Sequence, residues 1–260
     1  MVRISVISIC FNNLADLQKT CESVDRQSYL PDEHYIINGS STEEIKEWLV
    51  NTPQPAYRKW INEPDKGISD AFNKGIQLAS FELIHLLHAG DCYAENDVLA
   101  TVTDFFENNP QTQWISGNMR MIRAGSEVII GKAFDPAKLY RGMRSVSHPT
   151  WFVKKQVYEM VGGFNIDYRI AMDYDLMCRI KDESYAYLNK LIAVFDDTGV
   201  STANYMKSLA ETKKAYTSYF GFSWKMELWQ FRLKLLFFLL QTGPGKALFH
   251  LKKKMGLENM

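Results

Sequence analysis

The sequence predicts an α/β protein: a mostly parallel central sheet flanked by helices, followed by a helical C-terminal extension that is both apolar and basic. Three observations carry that prediction. Across the first hundred of 260 residues, β-rich apolar segments alternate four times with segments of helical spacing, the pattern of βαβ units. The β segments end at Asn, Gly, Pro or Asp, residues that close a strand and open a turn. After about Lys207 the composition shifts to apolar residues with scattered bases.

Residues 2–10 are apolar on both faces, as a buried parallel strand requires, and Asn12-Asn13 end the run. Residues 14–27 follow with helical spacing. A second strand, 34–37, ends at Asn38-Gly39-Ser40-Ser41; Thr42 is placed to cap a short helix over 43–50. Trp60-Ile61 marks a third strand, closed by Glu63-Pro64-Asp65-Lys66-Gly67, and residues 68–79 read as a helix. A fourth strand, 83–87, is closed by His88-Ala89-Gly90-Asp91. Beyond it the order is a helix over 96–108, strands over 114–121 and 128–130 around Gly125-Ser126, and a helix over 154–161 stopped by Gly162-Gly163. A helix over 174–181 follows Asp173, and a strand covers 187–195. The organisation expected is a catalytic domain over 1–206, with a nucleotide-binding half (1–95) and an acceptor-binding half (96–206), then the extension over 207–260.

Hydrophobic residues at 46% and charged residues at 23% exclude a disordered or fibrous chain. Thirty basic and 30 acidic side chains leave no net charge, which argues against a dedicated nucleic-acid binder. Cys10, Cys21, Cys92 and Cys178 form no C-x-x-C pair and have no histidine nearby to complete a zinc set, so reduced thiols are expected. The chain enters a strand almost at once, without the apolar core and cleavage site of a signal peptide, and no apolar run approaches a membrane span of about 18–20 residues. A cytoplasmic protein is expected.

Ligands of parallel α/β sheets sit beyond the carboxyl ends of the strands. Three consecutive strand ends here carry Asn38, Asp65 and Asp91. A carboxylate in the place of Asp91 can hold a hard divalent cation, or cap the segment after it. Asp173 and Asp175, two apart at a helix start, can be a cap and a dipole-stabilising acid, or include a base that takes a proton from a hydroxyl. Residues 63–75 (EPDKGISDAFNKG) place an acid, a base and a glycine in a turn, then Asp70, Asn73 and Lys74 about one helical turn apart.

That stretch resembles the EPDKGIYDAMNKG element of bacterial family 2 glycosyltransferases. Further elements resemble the same family in the same order: 5–13 (SVISICFNN), 36–42 (IINGSST), 86–91 (LLHAGD, its DxD-type motif), 147–152 (SHPTWF), 169–175 (RIAMDYD) and 199–201 (GVS). The resemblance covers roughly residues 2–205, and the subfamily looks like enzymes of O-antigen, capsule or colanic-acid-type polysaccharide synthesis. It implies a GT-A (Rossmann-like) fold, a nucleotide-sugar donor, Mn²⁺ or Mg²⁺, inversion at the anomeric carbon and a lipid-linked or oligosaccharide acceptor. Carried over by position, it implies donor contacts from Phe11, Asn38, Asp65, Lys66, Asp70, Asn73 and Asp91, with Asp91 also the metal ligand. Asp173 is implied as the general base and Asp175 as a supporting acid. His148 and Trp151 fall where an acceptor would lie, though a histidine beside a proline also serves structure alone.

The chain departs from the family at Asn38, which replaces an acid, and at His88 and Gly90, which leave Asp91 as the one acid of its motif. The weakened motif is also what a non-catalytic sugar-binding scaffold would show, and Asp173 opposes that reading. A sugar nucleotidyltransferase would want a Gly-rich phosphate loop, and Cys10-Phe11-Asn12-Asn13 offers none. From Trp224 onward, Lys225, Arg232, Lys234, Lys246 and Lys252-Lys253-Lys254 face only Glu227 and Glu258. An amphipathic segment over 224–240 is expected to lie in the inner face of the plasma membrane, with Trp224, Trp229, Phe231, Phe237 and Phe238 inserted. The other reading is a helix pair that packs on the catalytic domain or a homodimer partner.

Overall fold

A computed structural model describes residues 2–123, 126–143, 146–196 and 204–245. The Gly199-Val200-Ser201 element, Lys246 and Lys252-Lys253-Lys254 lie outside the described residues.

The first half alternates strand and helix as expected: β1 (Ile4–Cys10), α1 (Leu14–Asp25), β2 (Glu33–Asn38), α2 (Glu44–Asn51), β3 (Arg58–Asn62), α3 (Ile68–Leu78) and β4 (Leu83–Leu86). The four strands pair in parallel in the order β3-β2-β1-β4. Each residue of β1 is buried, because Ile4 and Val6 feed one core and Ile7 and Ile9 the core on the other face. Asn13 starts α1 by accepting the Asp16 amide at 3.1 Å, and Leu17, Cys21 and Val24 give that helix its buried stripe. Helix α3 lies close on the sheet at Gly75, where a Cβ would stand 2.3 Å from Ile7 Cγ2.

The second half comprises β5 (Cys92–Tyr93), α4 (Val98–Asn108), β6 (Trp114–Arg123), β7 (Ser126–Ile130), two 3-10 turns (Pro136–Arg141 and His148–Thr150), β8 (Phe152–Lys154), α5 (Lys155–Val161), α6 (Met172–Arg179) and β9 (Tyr185–Asp196). Here the sheet is mixed. Short β8 runs antiparallel to β4 and β6, β6 and β9 are parallel, and β5 and β7 add antiparallel edges. Among the described residues nine strands form one sheet.

Helices α7 (Tyr205–Phe220) and α8 (Trp224–Gln241) follow. Helix α7 belongs to the body of the protein: Ala215 is fully buried in the core shared by α3 and α6. Helix α8 has two apolar faces. Met226 and Gln230 are buried, Phe237 stacks on Tyr205 at 5.2 Å, and the Arg141 guanidinium lies 5.3 Å from the Trp229 ring. On the opposite face Trp224, Leu228, Phe231, Leu235 and Phe238 are all exposed, at spacings of three and four residues. Trp229 and Phe237, expected to be inserted in a membrane, therefore face the protein. Among the described residues no helix is long and apolar enough to cross a membrane.

Candidate active site

The register sets Cys10, Asn38 and Asn62 level at the carboxyl ends of β1, β2 and β3. Asn38 is buried; its amide donates to Asn62 Oδ1 at 2.8 Å and its Oδ1 accepts the Ser40 amide at 3.1 Å. Asn12 ties the first two strand ends together. Its φ is +53°, which asparagine tolerates, and its Oδ1 accepts the amides of Ser41 (3.0 Å) and Thr42 (3.3 Å). Thr42 is therefore not the cap of α2: the helix begins one turn position later, after Glu43, with no side-chain cap.

Beside these ends, Asp65 accepts the Gly67 amide at 2.8 Å, and its second oxygen lies where a Cβ on Gly39 would come within 1.8 Å. Only glycine at 39 leaves Asp65 that place. Phe11 stands exposed at the lip, and Lys66 is exposed with its amide held by Asp70 at 2.9 Å. Asn73 is not in this group. Its Nδ2 donates to the Phe164 carbonyl at 2.8 Å and its Oδ1 accepts the Phe164 amide at 2.7 Å, so it is a strut between α3 and a loop.

At the end of β4, residues 88–91 form a tight turn in which the Asp91 amide donates to the His88 carbonyl at 2.9 Å. Buried Thr20 fixes it, donating to the Asp91 carbonyl at 2.8 Å and accepting the Gly90 amide at 2.9 Å. His85, one turn deeper, clamps the neighbouring 3-10 turn. Its Nε2 lies 3.1 Å from the Pro149 carbonyl and so carries the proton, which leaves Nδ1 to accept the Tyr93 hydroxyl at 2.7 Å. The His85 ring stacks on Phe152 at 4.0 Å between centroids. Next to Pro149, the His148 ring packs against Phe72 (5.2 Å), Trp151 (6.1 Å) and Phe164 (6.4 Å), with Nε2 buried and without a hydrogen-bond partner. Trp151 is buried behind it, edge-on to Trp114.

Asp173 lies in the first turn of α6, with Oδ1 buried and likewise unpartnered. Burial pushes its carboxyl up from the usual range, while His148 and then His88 pull it back. The Asp91 carboxyl is pushed up to about 8, by burial first; the His88 amide opposes the shift and Asp173 adds to it. Burial holds His88 down, His148 holds it down further, and the Ala89 carbonyl, Asp16 and Asp173 oppose. Four groups from three elements are thus linked electrostatically: His88, Asp91, His148 and Asp173. Asp175 does not join them. It is fully buried, with one oxygen on Arg179 (2.8 Å) and the other accepting the Tyr219 hydroxyl (2.8 Å), an anchor between α6 and α7.

A cation fits this cluster. Two buried carboxyls are driven toward their neutral forms, neither is offset by a lysine or arginine among the described residues, and Asp173 Oδ1 has no donor there. Among the described residues no set of three or more His, Cys, Asp or Glu side chains is arranged as metal ligands. A bound ion would therefore draw most of its oxygens from a ligand or from water.

Comparison with known proteins decides the family: the family described as Glycosyl transferase family 2 matches residues 5–158. The chain belongs to glycosyl transferase family 2. It is 32% identical over 205 residues to an uncharacterized glycosyltransferase of Mycobacterium tuberculosis (strain ATCC 25618 / H37Rv), covering 76% of this chain and 77% of that protein. It is 26% identical over 200 residues to a PGL/p-HBAD biosynthesis glycosyltransferase of Mycobacterium bovis (strain BCG / Pasteur 1173P2), covering 75% and 77%. Among solved structures, S. aureus TarS 1-349 in complex with UDP superposes with a TM-score of 0.62 at 14% identity, over 84% of this chain and 67% of that one. The chain spans 40% of the longer TarS chain. The mannosyltransferase PcManGT from Pyrobaculum calidifontis, in complex with GDP-Man and Mn²⁺, matches over 99% of this chain and 81% of its own, with a TM-score of 0.61 at 16% identity. The family 2 enzyme has the GT-A fold.

The sequence pointed to Asp91, Asp173 and His148 by position, and the structure brings them together. It did not point to Thr20 or His85, whose roles depend on partners 71 and 64 residues away in sequence.

Proposed function

We propose that this glycosyltransferase is a metal-dependent, inverting hexosyltransferase. It moves a sugar from a nucleoside-diphosphate donor, a UDP-sugar foremost, to a hydroxyl of a lipid-linked or growing polysaccharide acceptor. The observation that carries the reading is the meeting of Asp173 and Asp91 in one buried cluster past the ends of parallel strands, beside two histidines. The UDP-bound TarS and GDP-Man- and Mn²⁺-bound PcManGT complexes support a nucleotide-sugar donor and a divalent ion.

In this reading the nucleoside lies against Phe11, Asn38 and Asp65, with Lys66 toward the phosphates. Asp91 would hold Mn²⁺ or Mg²⁺, which when bound neutralises charge developing on the departing diphosphate. Asp173 takes the proton of the acceptor hydroxyl as its oxygen attacks the anomeric carbon, and later releases that proton to solvent. Burial strengthens Asp173 as a base, while His148 and His88 favour its ionised form before the reaction. A single displacement, with base and leaving group on opposite sides of the sugar, inverts the anomeric centre.

The acceptor end lies toward His148 and Trp151. We further propose that the outward face of α8 rests on the anionic cytoplasmic leaflet, where a lipid-linked acceptor would be found. Trp224, Leu228, Phe231, Leu235 and Phe238 form an apolar stripe there, with Lys225 and Arg232 exposed on the helix.

The test of catalysis is nucleoside-diphosphate release from a panel of UDP- and GDP-sugars with Mn²⁺, for wild type and Asp173→Asn. The variant should keep its fold and nucleotide binding and lose roughly two to four orders of magnitude in turnover. Turnover close to wild type would remove Asp173 as the base.

A further inference from the structure

Helix α6 begins without a side-chain cap of its own: Ala171 occupies the N-cap position, and its methyl group can accept nothing. The three successive amides that lead into the helix nonetheless have a partner. Oε2 of Glu211, on α7, accepts the N–H of Arg169 (3.1 Å), Ile170 (2.8 Å) and Ala171 (3.0 Å). One carboxylate oxygen thus holds three consecutive backbone donors from 40 to 42 residues away in sequence. Bonds of this kind, N–H to an ionised oxygen, are about twice as strong as neutral ones.

The place held is mechanistically central. Asp173 comes two residues after Ala171, so the backbone that Glu211 grips fixes where the α6 helix starts and where Asp173 points. Two further contacts keep Glu211 in register: Tyr219 of α7 donates to Asp175 of α6 at 2.8 Å, and the Lys214 ammonium lies 5.1 Å from the ring of Tyr168. A negative charge at the N-terminus of α6 also suits the helix dipole.

We infer that Glu211 is a positioning residue for the reaction: from α7 it sets the 169–171 backbone and thereby the aim of Asp173 into the His88–Asp91–His148 cluster. The inference rests on Asp173 being the base. It makes α7 an integral part of the catalytic apparatus, although the family match ends at residue 158.

The experiment compares wild type, Glu211→Ala, Glu211→Gln, Asp173→Asn and the Glu211→Ala/Asp173→Asn double variant. Two readouts are used: backbone hydrogen exchange of peptides spanning residues 168–176, and UDP release from UDP-GlcNAc with Mn²⁺ and water as acceptor. In Glu211→Ala, exchange should rise in that segment and stay unchanged in β1 and β4. Its kcat should fall about a hundredfold with KM for the donor held, the scale expected of a displaced catalytic group. Glu211→Gln, which keeps an acceptor oxygen but not the charge, should recover part of both effects. The double variant should lose no more turnover than Asp173→Asn alone, since Glu211 acts through Asp173. Unchanged exchange over 168–176 in Glu211→Ala overturns the inference whatever the turnover. So does additive loss in the double variant, or a uniform rise in exchange that marks general destabilisation. Near-normal turnover in Asp173→Asn instead overturns the assignment of the base, a result the other variants do not mimic.

Discussion

His85 and His34 are neutral by construction of their surroundings. Both are fully buried, and burial is the main cause that holds His85 down to about 3 and His34 well below its ordinary 6.5. The unfolded chain takes up these protons as pH falls through about 6.5 while the native chain does not. Their contribution to stability is therefore complete above that pH and is lost below it, by about 1.4 kcal/mol per pH unit for each histidine. Urea unfolding should give a lower midpoint at about pH 5 than at about pH 7.5, and the gap should narrow in His85→Gln. An equal gap in that variant would mean His85 carries a proton in the native state. The residue scale is also where reading the sequence was least complete. Asp91 and Asp173 stand at strand and helix ends, where position alone exposes them. His85 sits inside an apolar strand and Thr20 within a mostly polar helix, and both act by holding loops from elsewhere in the chain. Asn73 and Asp175 looked like site residues because they lie in site motifs, but their polar atoms are taken by Phe164, Arg179 and Tyr219.

Elements long enough to show a period were legible; those without one were not. Strands β1 to β4 and helices α1 to α4 follow from alternation and turn residues. Strands β5 and β8, two and three residues long, carry no periodic signal and exist because β9 and β4 pair with them. Helix α8 reads as amphipathic only if one apolar face is overlooked: Met226, Trp229, Leu233 and Phe237 turn to the protein while Trp224, Leu228, Phe231, Leu235 and Phe238 turn away. An outward stripe of that kind calls for a covering surface. Flotation with vesicles of phosphatidylglycerol and phosphatidylethanolamine should recover the protein. Recovery should fall with added salt, with phosphatidylcholine alone, and in a Leu228→Glu/Phe231→Glu variant that still binds UDP. If the stripe instead joins two copies, vesicles will not recover the protein, and the double variant will convert a dimer to a monomer. Point changes are the right tool here, because a cut near residue 207 would also remove Glu211 and buried Ala215.

At the scale of the molecule, the two halves of the sheet share the candidate site. The parallel half brings Asn38, Asp65 and Asp91 to its edge, and the mixed half with α6 and α7 brings His148 and Asp173. The fold was legible because the motifs keep the family's order along the chain; the coupling of the halves was not, because it depends on contacts such as Glu211 to Ala171 that span 40 residues. A donor that touches both halves should stabilise the native state by mass action, about 2.7 kcal/mol at a hundred times its Kd. On the reading proposed above, that binding depends on a divalent ion, and Asp91, which has no side-chain ion pair among the described residues, is the residue through which the dependence should run. UDP with Mn²⁺ should therefore raise the melting temperature of the wild type, and UDP with a chelator should raise it much less. In Asp91→Ala the Mn²⁺-dependent part of the shift should vanish. In Asp173→Asn it should persist, because the proposed role of that residue is toward the acceptor rather than the diphosphate. A Mn²⁺-dependent shift that survives in Asp91→Ala would place the ion on other residues, and a wild-type shift indifferent to chelation would make the enzyme metal-independent with Asp91 a part of the turn alone.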